Sequence, residues 1–474
     1  MSNEETIKLF EQQNHIYQKN VCGKFRSLKW KVMCITLGVY YLAPWIRWNR
    51  GDGVPDQAIL IDLANSRAYF FFIEIWPQEG FYIVGIMIFS AILLFFVTSM
   101  FGRIWCGYFC PQTVWTDLFI WVERAIQGDR NKRLLRDRSP YNFDKFWRKT
   151  VTHFLWIIIS LFTGGVWVFY FNDATLLIDQ IFNLNLKWSV SNWIIGLTLS
   201  TYLMAGYARE QVCIYMCPYA RFQSAMFDED TLIIGYDKGR GEPRGSHKVG
   251  DSWRGKGHCV NCTSCVQVCP MGIDIRDGLQ MECIACGLCI DACDNIMDKL
   301  NLPCGLIRYD TITNQNLRAK GKKEKIKLLR PRTFYYFGIV VIIGVVMLYN
   351  LLTRSPFELH IIHDRNPLFV TLSDGKIRNG YNIKILNKTH EDNYYTLDIS
   401  NVDQAILKVQ SAGELVAQNH LKVLADSIGH FRIFVLAHKQ SIKRQKITFI
   451  LQDMKNKISV SNENFFLSGK KLNY

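Results

Sequence analysis

Five apolar stretches interrupt a mixed sequence in the first three quarters of the chain. They lie at residues 32–45, 81–101, 151–171, 193–207 and 334–352. A membrane-spanning helix needs about 20 mostly apolar residues, and the first and fourth stretches approach that length only when their aromatic ends are counted. The pattern predicts five membrane-spanning helices. A buried globular helix is the competing interpretation for the two short stretches.

After residue 355 the pattern changes from long apolar runs to short alternating ones. Apolar and polar positions alternate at 368–372, 381–386, 394–399, 405–409, 430–437 and 446–451, between turns rich in Asn, Asp and Gly. A period of two is typical of strands with one buried face. A region of about 100 residues with this pattern predicts an all-β immunoglobulin-like sandwich. No catalytic group of residues is visible in it.

Basic residues beside the apolar stretches predict the orientation. Lys and Arg are frequent at 124–149 and rare at 51–80 and 172–191. Basic loops stay in the cytoplasm. Residues 104–149 and 209–333 are therefore predicted on the cytoplasmic side of a bacterial inner membrane, and the C-terminal region on the opposite side. The run 69–76 is too short to cross and contains Glu74, so we predict an interfacial or re-entrant segment there.

Composition agrees with membrane embedding. The chain is 49% hydrophobic and 14% aromatic, and its formal charge is +15. The basic residues lie beside apolar runs, as expected at an anionic membrane surface, so a nucleic-acid partner is not predicted. The polar N-terminus up to Lys31 has no apolar region followed by a cleavage site, so no cleaved signal peptide is expected.

Together with the cysteine runs at 259–269 and 283–293, these features predict a multi-domain membrane protein, an α-helical transmembrane bundle with an inserted bacterial two-[4Fe–4S] ferredoxin-like module. Residues 1–31 are a cytoplasmic N-terminal segment, and 32–218 are the first four helices. Residues 219–333 are a cytoplasmic linker and ferredoxin-like domain, in which the Gly-rich, charged stretch 235–257 is the predicted linker. Residues 334–353 are the fifth helix, which a basic run at 320–327 precedes, and 354–474 are the periplasmic immunoglobulin-like domain.

Two cysteine runs carry the strongest chemical signal. The spacing C-x2-C-x2-C-x3-C occurs at Cys259, Cys262, Cys265 and Cys269, followed by Pro270, and again at Cys283, Cys286, Cys289 and Cys293. In such runs the fourth cysteine ligates the other cluster. The spacing therefore predicts one [4Fe–4S] cluster on Cys259, Cys262, Cys265 and Cys293, and a second on Cys283, Cys286, Cys289 and Cys269. Zinc is the competing interpretation, which the duplicated three-residue final gap disfavours.

Two further cysteine pairs follow the second and fourth apolar stretches. They are Cys106 and Cys110 before Pro111, and Cys213 and Cys217 before Pro218. An i, i+4 spacing places both sulfurs on one helical face, and the proline is predicted to end or kink the helix. We predict that the pairs converge into one four-thiolate site, which would favour Cu(I), with Met216 as a thioether neighbour. Buried free cysteines near helix ends are the alternative.

The remaining cysteines and histidines give weaker signals. Cys22, Cys34 and Cys304 have no matching spacing, so they are interpreted as packing thiols. His153 begins the third apolar stretch and is interpreted as an interfacial residue. His258 precedes the first cluster ligand and is a candidate for tuning a cluster potential.

Along the chain, the spans, the C-x3-C-P pairs, the cluster runs and the β-domain follow one another in an order that resembles the CcoG family, also called FixG or RdxA. Members of this family are accessory proteins of cbb3-type cytochrome c oxidase assembly. The supporting stretches are 110–117, 236–237 with 240–244, and 289–294. The resemblance covers essentially the whole length. It implies a cupric reductase that supplies Cu(I) to the oxidase, with Cys106, Cys110, Cys213 and Cys217 as the catalytic, copper-handling site. The implied partners are the bilayer, the oxidase or its copper-delivery assembly factors, and an unknown electron donor.

Two other functions stay open at this point. One is a quinol-linked electron-transfer subunit like NapH, which resembles the first four spans and the cluster module. The other is a non-catalytic assembly scaffold in which the β-domain binds the oxidase and the clusters are structural. The fifth span and the β-domain favour the cupric reductase over the quinol-linked subunit.

Overall fold

The computed structural model describes residues 16–51, 53–246, 253, 255–324, 327, 329–402, 404–411, 414–416, 420–438 and 443–468. Parts of the predicted N-terminal segment, of the linker and of the basic run 320–327 lie outside the described residues. The chain forms two compact units, with boundaries at residues 50–55 and at 347–348. The larger unit contains all 15 cysteines, and the smaller one contains the C-terminal strands.

Fourteen α-helices are formed by the described residues. They are α1 (Lys24–Leu42), α2 (Phe81–Phe101), α3 (Ile104–Tyr108), α4 (Pro111–Gln127), α5 (Arg130–Arg138), α6 (Phe143–Phe169), α7 (Ala174–Phe182), α8 (Trp188–Thr201), α9 (Pro218–Ala225), α10 (Lys238–Gly241), α11 (Ser264–Gln267), α12 (Leu288–Lys299), α13 (Ile312–Ala319) and α14 (Pro331–Leu352). Within the described chain, three helical segments are long and apolar enough to cross a membrane: Pro77–Phe101, Phe143–Phe169 and Pro331–Leu352. The predicted long apolar helices at 81–101, 151–171 and 334–352 are therefore confirmed.

The two short apolar stretches are built differently from the long ones. Helix α1 starts at Lys24, well before the predicted start at 32, because Arg26 and Lys29 are buried by pairing with a carboxylate of α4. Helix α8 has 14 residues and continues into a π-helix, Tyr202–Ala208. A second π-helix, Val212–Met216, follows it. That these two segments cross the bilayer remains a prediction.

The basic segment before the third span is largely helical. Helix α6 begins at Phe143, and the Asn142 side chain accepts a hydrogen bond from the Lys145 amide at 2.8 Å. An asparagine at this position satisfies one of the free amides of the first turn. Hydropathy placed the start near 151 because the first two turns carry Lys145 and Arg148, which an apolar pattern excludes.

Two segments expected to be irregular form strands. Within run 69–76 lie parts of β2 (Arg67–Phe70) and β3 (Ile73–Ile75), which form an antiparallel sheet with β1 (Ile59–Asp62). The predicted linker begins inside β4 (Ile233–Tyr236), which is buried throughout and pairs with β5 (Ile307–Asp310). The linker prediction was therefore wrong at its start. The glycine and charges that suggested a linker belong to a strand end and the turn after it.

The C-terminal unit is a sandwich of two antiparallel sheets. Its strands are β6 (Phe357–His363), β7 (Val370–Thr371), β8 (Ile377–Asn387), β9 (Asn393–Ser400), β10 (Ile406–Ser411), β11 (Glu414–Val416), β12 (His420–Val423), β13 (Ser427–Ala437), β14 (Arg444–Asp453) and β15 (Ser459–Leu467). One sheet has the order β11-β10-β13-β8-β6, with β7 beside β8, and the other has the order β12-β9-β14-β15. Fully buried Tyr381, Tyr395, Phe449 and Phe466 fill the space between the sheets.

All six predicted β runs overlap strands, so that prediction is confirmed. The alternation is visible because β14 and its neighbours bury every second residue. Strand β15 was missed, since Asn462, Glu463 and Asn464 interrupt its alternation. The structure explains their presence: Asn462 and Asn464 donate side-chain hydrogen bonds to carbonyls of β6.

Candidate functional site

Four cysteines surround the first of two apolar cavities in the cysteine-rich region. The cavity is lined by Cys259, Cys262, Cys265 and Cys293. Cys293 lies on α12, in the second cysteine run, while the other three belong to the first run. The structure thus brings together the four residues that the interleaved spacing assigns to one cluster.

The other four cysteines surround a second cavity. It is lined by Cys269, Cys283, Cys286 and Cys289, and Cys265 of the first cavity also contributes to its wall. The chain turns sharply between the last two of these at Gly287, which has φ +75° and directly precedes α12. A Cβ there would lie 2.7 Å from the ring of Phe25, so glycine is needed both for the backbone conformation and for the contact.

Burial shifts the pKa values of these thiols. The pKa of Cys269 and that of Cys293 are raised to about 12, and that of Cys265 to about 11, because an apolar cavity disfavours a thiolate. Metal binding in these cavities must therefore release protons. Four sulfurs around each of two apolar cavities match the donor set of two [4Fe–4S] clusters, so the residues present fit those groups.

The two cavities differ in their access to solvent. Cys262, in the first cavity, is exposed. The cysteines of the second cavity are buried or half-buried. The first cavity therefore has a ligand position that an external electron carrier can approach, and the second faces the interior.

The two C-x3-C-P pairs do not each lie on one helical face. Cys106 lies in α3, but Cys110 directly precedes α4, which begins at Pro111. Cys213 lies in the second π-helix, and Cys217 ends it before Pro218 begins α9. The helix of each first cysteine ends before the proline, as expected, but a new helix then begins at the proline. The prolines occupy the first helical position, where the missing amide costs no hydrogen bond, so each pair spans a break between two helices.

The thiols of Cys106 and Cys213 nevertheless lie within electrostatic reach of the other cysteines of the two pairs, and we call the four cysteines the thiol cluster. That they form one four-thiolate site remains a prediction. The pKa of Cys106 is raised to about 11, first by burial and then by the nearby thiols of Cys110 and Cys217. The pKa of Cys213 is raised to about 12, again first by burial and further by the other three thiols. Thiolates are soft donors.

A buried arginine lies beside the thiol cluster. The Nε of Arg103 donates to the Oε1 of Gln223 at 3.2 Å, and the Cys106 Sγ donates to the same oxygen at 3.1 Å. Arg103 also donates to the carbonyl of Met281, two residues before Cys283. Its charge lowers the pKa values of Cys106 and Cys283, opposing the larger effect of burial. The guanidinium therefore acts on both the thiol cluster and the second cavity.

The thiol cluster touches the second cavity through the residues after Cys106. A Cβ on Gly107 would lie 2.6 Å from the carbonyl oxygen of Ile284 and 3.1 Å from the Cα of Cys286. The hydroxyl of Tyr108 donates to the Cys286 carbonyl at 3.0 Å. Backbone contact this close requires glycine. These contacts place the thiol cluster and the cysteines of the second cavity on adjoining segments of the chain.

Two carboxylates that sequence reasoning gave no role attach α1 to this region. Asp117 is buried and pairs with Arg26 at 2.8 Å and with Lys29 at 3.9 Å. Asp291, between two cluster cysteines, accepts hydrogen bonds from the amides of Phe25 and Arg26. It thus satisfies free amides of the first turn of α1. Asp117 falls within the stretch 110–117 and Asp291 within 289–294. Both stretches carry the family resemblance, and this was the sequence signal that could have pointed to the two carboxylates.

The weaker candidates are placed as follows. His258 accepts a hydrogen bond from Arg240 at 3.0 Å, and its pKa is lowered by burial and by that arginine. His153 hydrogen-bonds to Tyr202 at 3.0 Å. Cys22, Cys34 and Cys304 are exposed and do not line either cavity. Arg103, which sequence reasoning missed, is a single charged residue directly after an apolar span.

Family comparisons agree with these cavities. Residues 208–312 match the profile "4Fe-4S dicluster domain", and residues 83–129 match "4Fe-4S binding domain". Residues 347–469 match "IG-like fold at C-terminal of FixG". With its long apolar helices, the chain is a membrane-bound iron–sulfur electron-transfer protein with an immunoglobulin-like C-terminal domain.

Full-length relatives identify the family. The chain is 45% identical to the nitrogen fixation protein FixG of Rhizobium meliloti, over 91% of this chain and 88% of that protein. It is 44% identical to RdxB and 42% identical to RdxA of Cereibacter sphaeroides. Those two matches cover 92% and 91% of this chain, and 91% of each relative. The chain belongs to the FixG/RdxA family.

Replacing Arg103 by glutamine should slow alkylation of Cys106 in metal-free protein. The pKa of this thiol is already about 11, and loss of the cation raises it further, so less thiolate is present at any alkaline pH below that value. Site-resolved mass spectrometry after iodoacetamide labelling measures the rate. Arg103→Lys should be less affected because it keeps the charge. Equal rates in Arg103→Gln and in Arg138→Gln, at an exposed position, would contradict the prediction.

Proposed function

We propose that this protein is a cupric reductase that supports copper delivery to a cbb3-type cytochrome c oxidase and the assembly of that enzyme. The observation that carries the proposal is the contact of Gly107 and Tyr108 with the backbone around Cys286. That contact joins an electron-carrying site to a set of soft sulfur donors. A one-electron carrier beside such donors is what the reduction of Cu(II) and the retention of Cu(I) require.

Each set of cysteines has a role in this proposal. Cys259, Cys262, Cys265 and Cys293 hold the cluster nearer to solvent, and Cys269, Cys283, Cys286 and Cys289 hold the inner one. When bound, these clusters supply one-electron transfer. The exposed position of Cys262 suits reduction by an external donor, and the contacts of Cys286 suit transfer toward the thiol cluster.

The thiol cluster is the proposed site of copper chemistry. Cys106, Cys110, Cys213 and Cys217 bind the ion, Cu(II) accepts one electron and becomes Cu(I), and thiolates favour the reduced state. Arg103 offsets part of the thiolate charge in a buried region where uncompensated charge is costly. Before the ion binds, Gln223 orients the protonated Cys106 thiol by accepting its hydrogen bond, which is lost when the thiol becomes a thiolate ligand.

The proposed topology places the cysteine module in the cytoplasm of a bacterial cell and the immunoglobulin-like domain in the periplasm. The supports are the basic residues at 124–149 and their scarcity at 51–80 and 172–191. In this arrangement the cluster cysteines face the compartment that keeps thiols reduced. The C-terminal domain is then free to contact the oxidase or its copper-delivery assembly factors.

A second candidate for the thiol cluster is a third [4Fe–4S] cluster. The specific observation is that residues 83–129, which match a 4Fe-4S binding profile, contain Cys106 and Cys110 as their only cysteines. Iron and sulfide analysis separates the candidates. The copper proposal predicts about eight iron atoms per chain, whereas a third cluster predicts about twelve.

Anaerobic copper reduction tests the function directly. Full-length protein is reduced with dithionite, desalted, and mixed with Cu(II) and a Cu(I) chelator. We expect Cu(I) in proportion to the reduced clusters, and little of it from a variant with Cys106, Cys110, Cys213 and Cys217 all changed to Ser. Cys34→Ser, at an exposed cysteine outside every motif, is the matched control and should behave like the parent.

The result also separates the remaining functions. Cu(I) formation that persists in the fourfold variant would rule out the thiol cluster as the copper site. Absence of Cu(I) from the parent protein would favour a scaffold, or a quinol-linked subunit if quinol reduces the clusters. Both variants must keep the cluster EPR signals of the parent, which establishes that the change is confined to the thiols.

A further inference from the structure

A third cavity lies where the four cysteine motifs meet. Its walls include Gln112, Glu210, Cys213, Met271 and Ile284. Gln112 follows Cys110 and Pro111, Met271 follows Cys269 and Pro270, and Ile284 follows Cys283. The cavity therefore borders both the thiol cluster and the second cluster cavity.

The charged groups of this cavity are paired, with one exception. Lys29 lies 3.9 Å from Asp117, which Arg26 also binds. Arg209, which also lines the cavity, pairs with the buried carboxylate of Glu123. Among the described residues, no cation forms an ion pair with the half-buried Glu210. Its charge is therefore available to a cation in the cavity.

Glu210 differs from the other carboxylates of the region in a second way. Burial raises its pKa, and this effect is only partly opposed by hydrogen bonds from its own amide and the Gln211 side chain and by the charge of Arg209. These hydrogen bonds orient the carboxylate but, without an ion-paired cation, leave its charge uncompensated. Glu210 precedes Cys213 by three residues in the chain, so a carboxylate oxygen and a thiol of one segment border the same space.

Oxygen and sulfur donors suit different oxidation states of copper. Carboxylates accept divalent ions, whereas thiolates and thioethers select Cu(I). The cavity offers a carboxylate, the thiol of Cys213 and the thioether of Met271, which is 5% exposed. An ion bound at the carboxylate as Cu(II) would lie next to sulfur donors that hold it more tightly once it is reduced.

We propose that this cavity is the docking site for the incoming Cu(II) ion and that Glu210 is a ligand in it. This inference rests on the proposed cupric reductase function and extends it to the step before electron transfer. The ion binds the Glu210 carboxylate, and a proton is released when that acid is protonated beforehand. Cu(II) then takes one electron from the reduced iron–sulfur protein. The resulting Cu(I) moves to Cys213 and the other thiols, whose protons are released as thiolate bonds form.

Copper EPR on the unreduced protein tests the docking site. The experiment uses the full-length chain with Cys106, Cys110, Cys213 and Cys217 all changed to Ser, so that the thiol cluster cannot reduce the added Cu(II). We expect a bound Cu(II) signal that saturates near one ion per chain. Adding Glu210→Gln should weaken the binding at least about tenfold, since loss of even an indirect partner of a metal ligand costs that much. Glu229→Gln, at an exposed carboxylate, should leave the binding unchanged.

A second measurement uses the parent chain with all its thiols. Cu(I) affinity, measured by competition with a chelator, should be the same with and without Glu210→Gln, because the thiol cluster is intact. Glu210→Asp keeps a carboxylate on a shorter side chain and should recover part of the Cu(II) binding. This variant keeps the test informative if Glu210→Gln does not fold.

The outcomes separate this inference from the function on which it rests. Unchanged Cu(II) affinity in Glu210→Gln overturns the docking site, even if the parent protein reduces copper. Equal loss of Cu(II) and Cu(I) binding also overturns it, because Glu210 then only supports the fold. If the parent chain forms no Cu(I) in the assay of reduced protein, the proposed function fails, whatever the Glu210 variants bind.

Discussion

A protein in which Cys269 and Cys286 are both changed to Ala should lose one [4Fe–4S] cluster and keep the other. Both residues line the second cavity, although they belong to different cysteine runs. Changing Cys259 and Cys269, which share a run but line different cavities, should remove both clusters. We expect about half of the parent iron and sulfide in the first double variant and almost none in the second.

Iron and sulfide analysis with low-temperature EPR of reduced protein checks this prediction. The parent should show two interacting S = 1/2 centres, and the Cys269, Cys286 variant a single isolated centre. The two double variants control for each other, because each changes two ligands. If each run served its own cluster, the results would be exchanged, and the first double variant would lose both clusters. A protein with zinc and no sulfide would contradict both arrangements.

Gly107→Ala should separate the thiol cluster from the second cluster cavity. The added Cβ would lie 2.6 Å from the Ile284 carbonyl oxygen and 3.1 Å from the Cys286 Cα, and both are backbone atoms that cannot rotate away. Overpacking of this kind costs about 1–3 kcal/mol. Because the displaced loop carries Cys283 and Cys286, we expect lower thermal stability, partial loss of the inner cluster and a reduced Cu(I) yield.

Gly196→Ala is the matched control for this substitution. It lies within α8, and a Cβ there would meet no atom within 4 Å. Alanine is favoured over glycine in a helix by about 1 kcal/mol, so this variant should be as stable as the parent or more so. Thermal unfolding in detergent, iron content and the Cu(I) assay compare the two proteins. If both variants had the same unfolding temperature, iron content and Cu(I) yield, the helix of Cys106 would not be in close contact with the loop of Cys286.

Patterns in the sequence predicted those parts of the fold in which burial repeats regularly. The long spans appear because nearly every residue of α2 and α14 is apolar, and β8, β9, β13 and β14 appear because alternate residues are buried. The same rule failed where charged residues are buried by partners distant in the chain. Arg26 and Lys29 hid the start of α1, since their partner Asp117 is about 90 residues away.

The chemical sites divide in a similar way. Cysteine spacing was sufficient to group the eight thiols that line the two cavities, because ligand positions on tight loops are set locally by the chain. Spacing gave the wrong local structure for the C-x3-C-P pairs. A proline that follows the end of one helix can also begin the next, and spacing does not show that the two cysteines of each pair lie on opposite sides of such a break.

By itself, the sequence determined the long apolar helices, the β-domain and the grouping of eight cysteines around two cavities, all of which depend on local composition, period and spacing. Only the tertiary structure decided that Gly107 presses on Cys286, that Arg103 acts on two sets of thiols, and that Glu210 has no ion-pairing cation among the described residues. Such features depend on which distant segments come into contact. Contacts of this kind are selected by packing and charge compensation over the whole unit, and no local pattern records them.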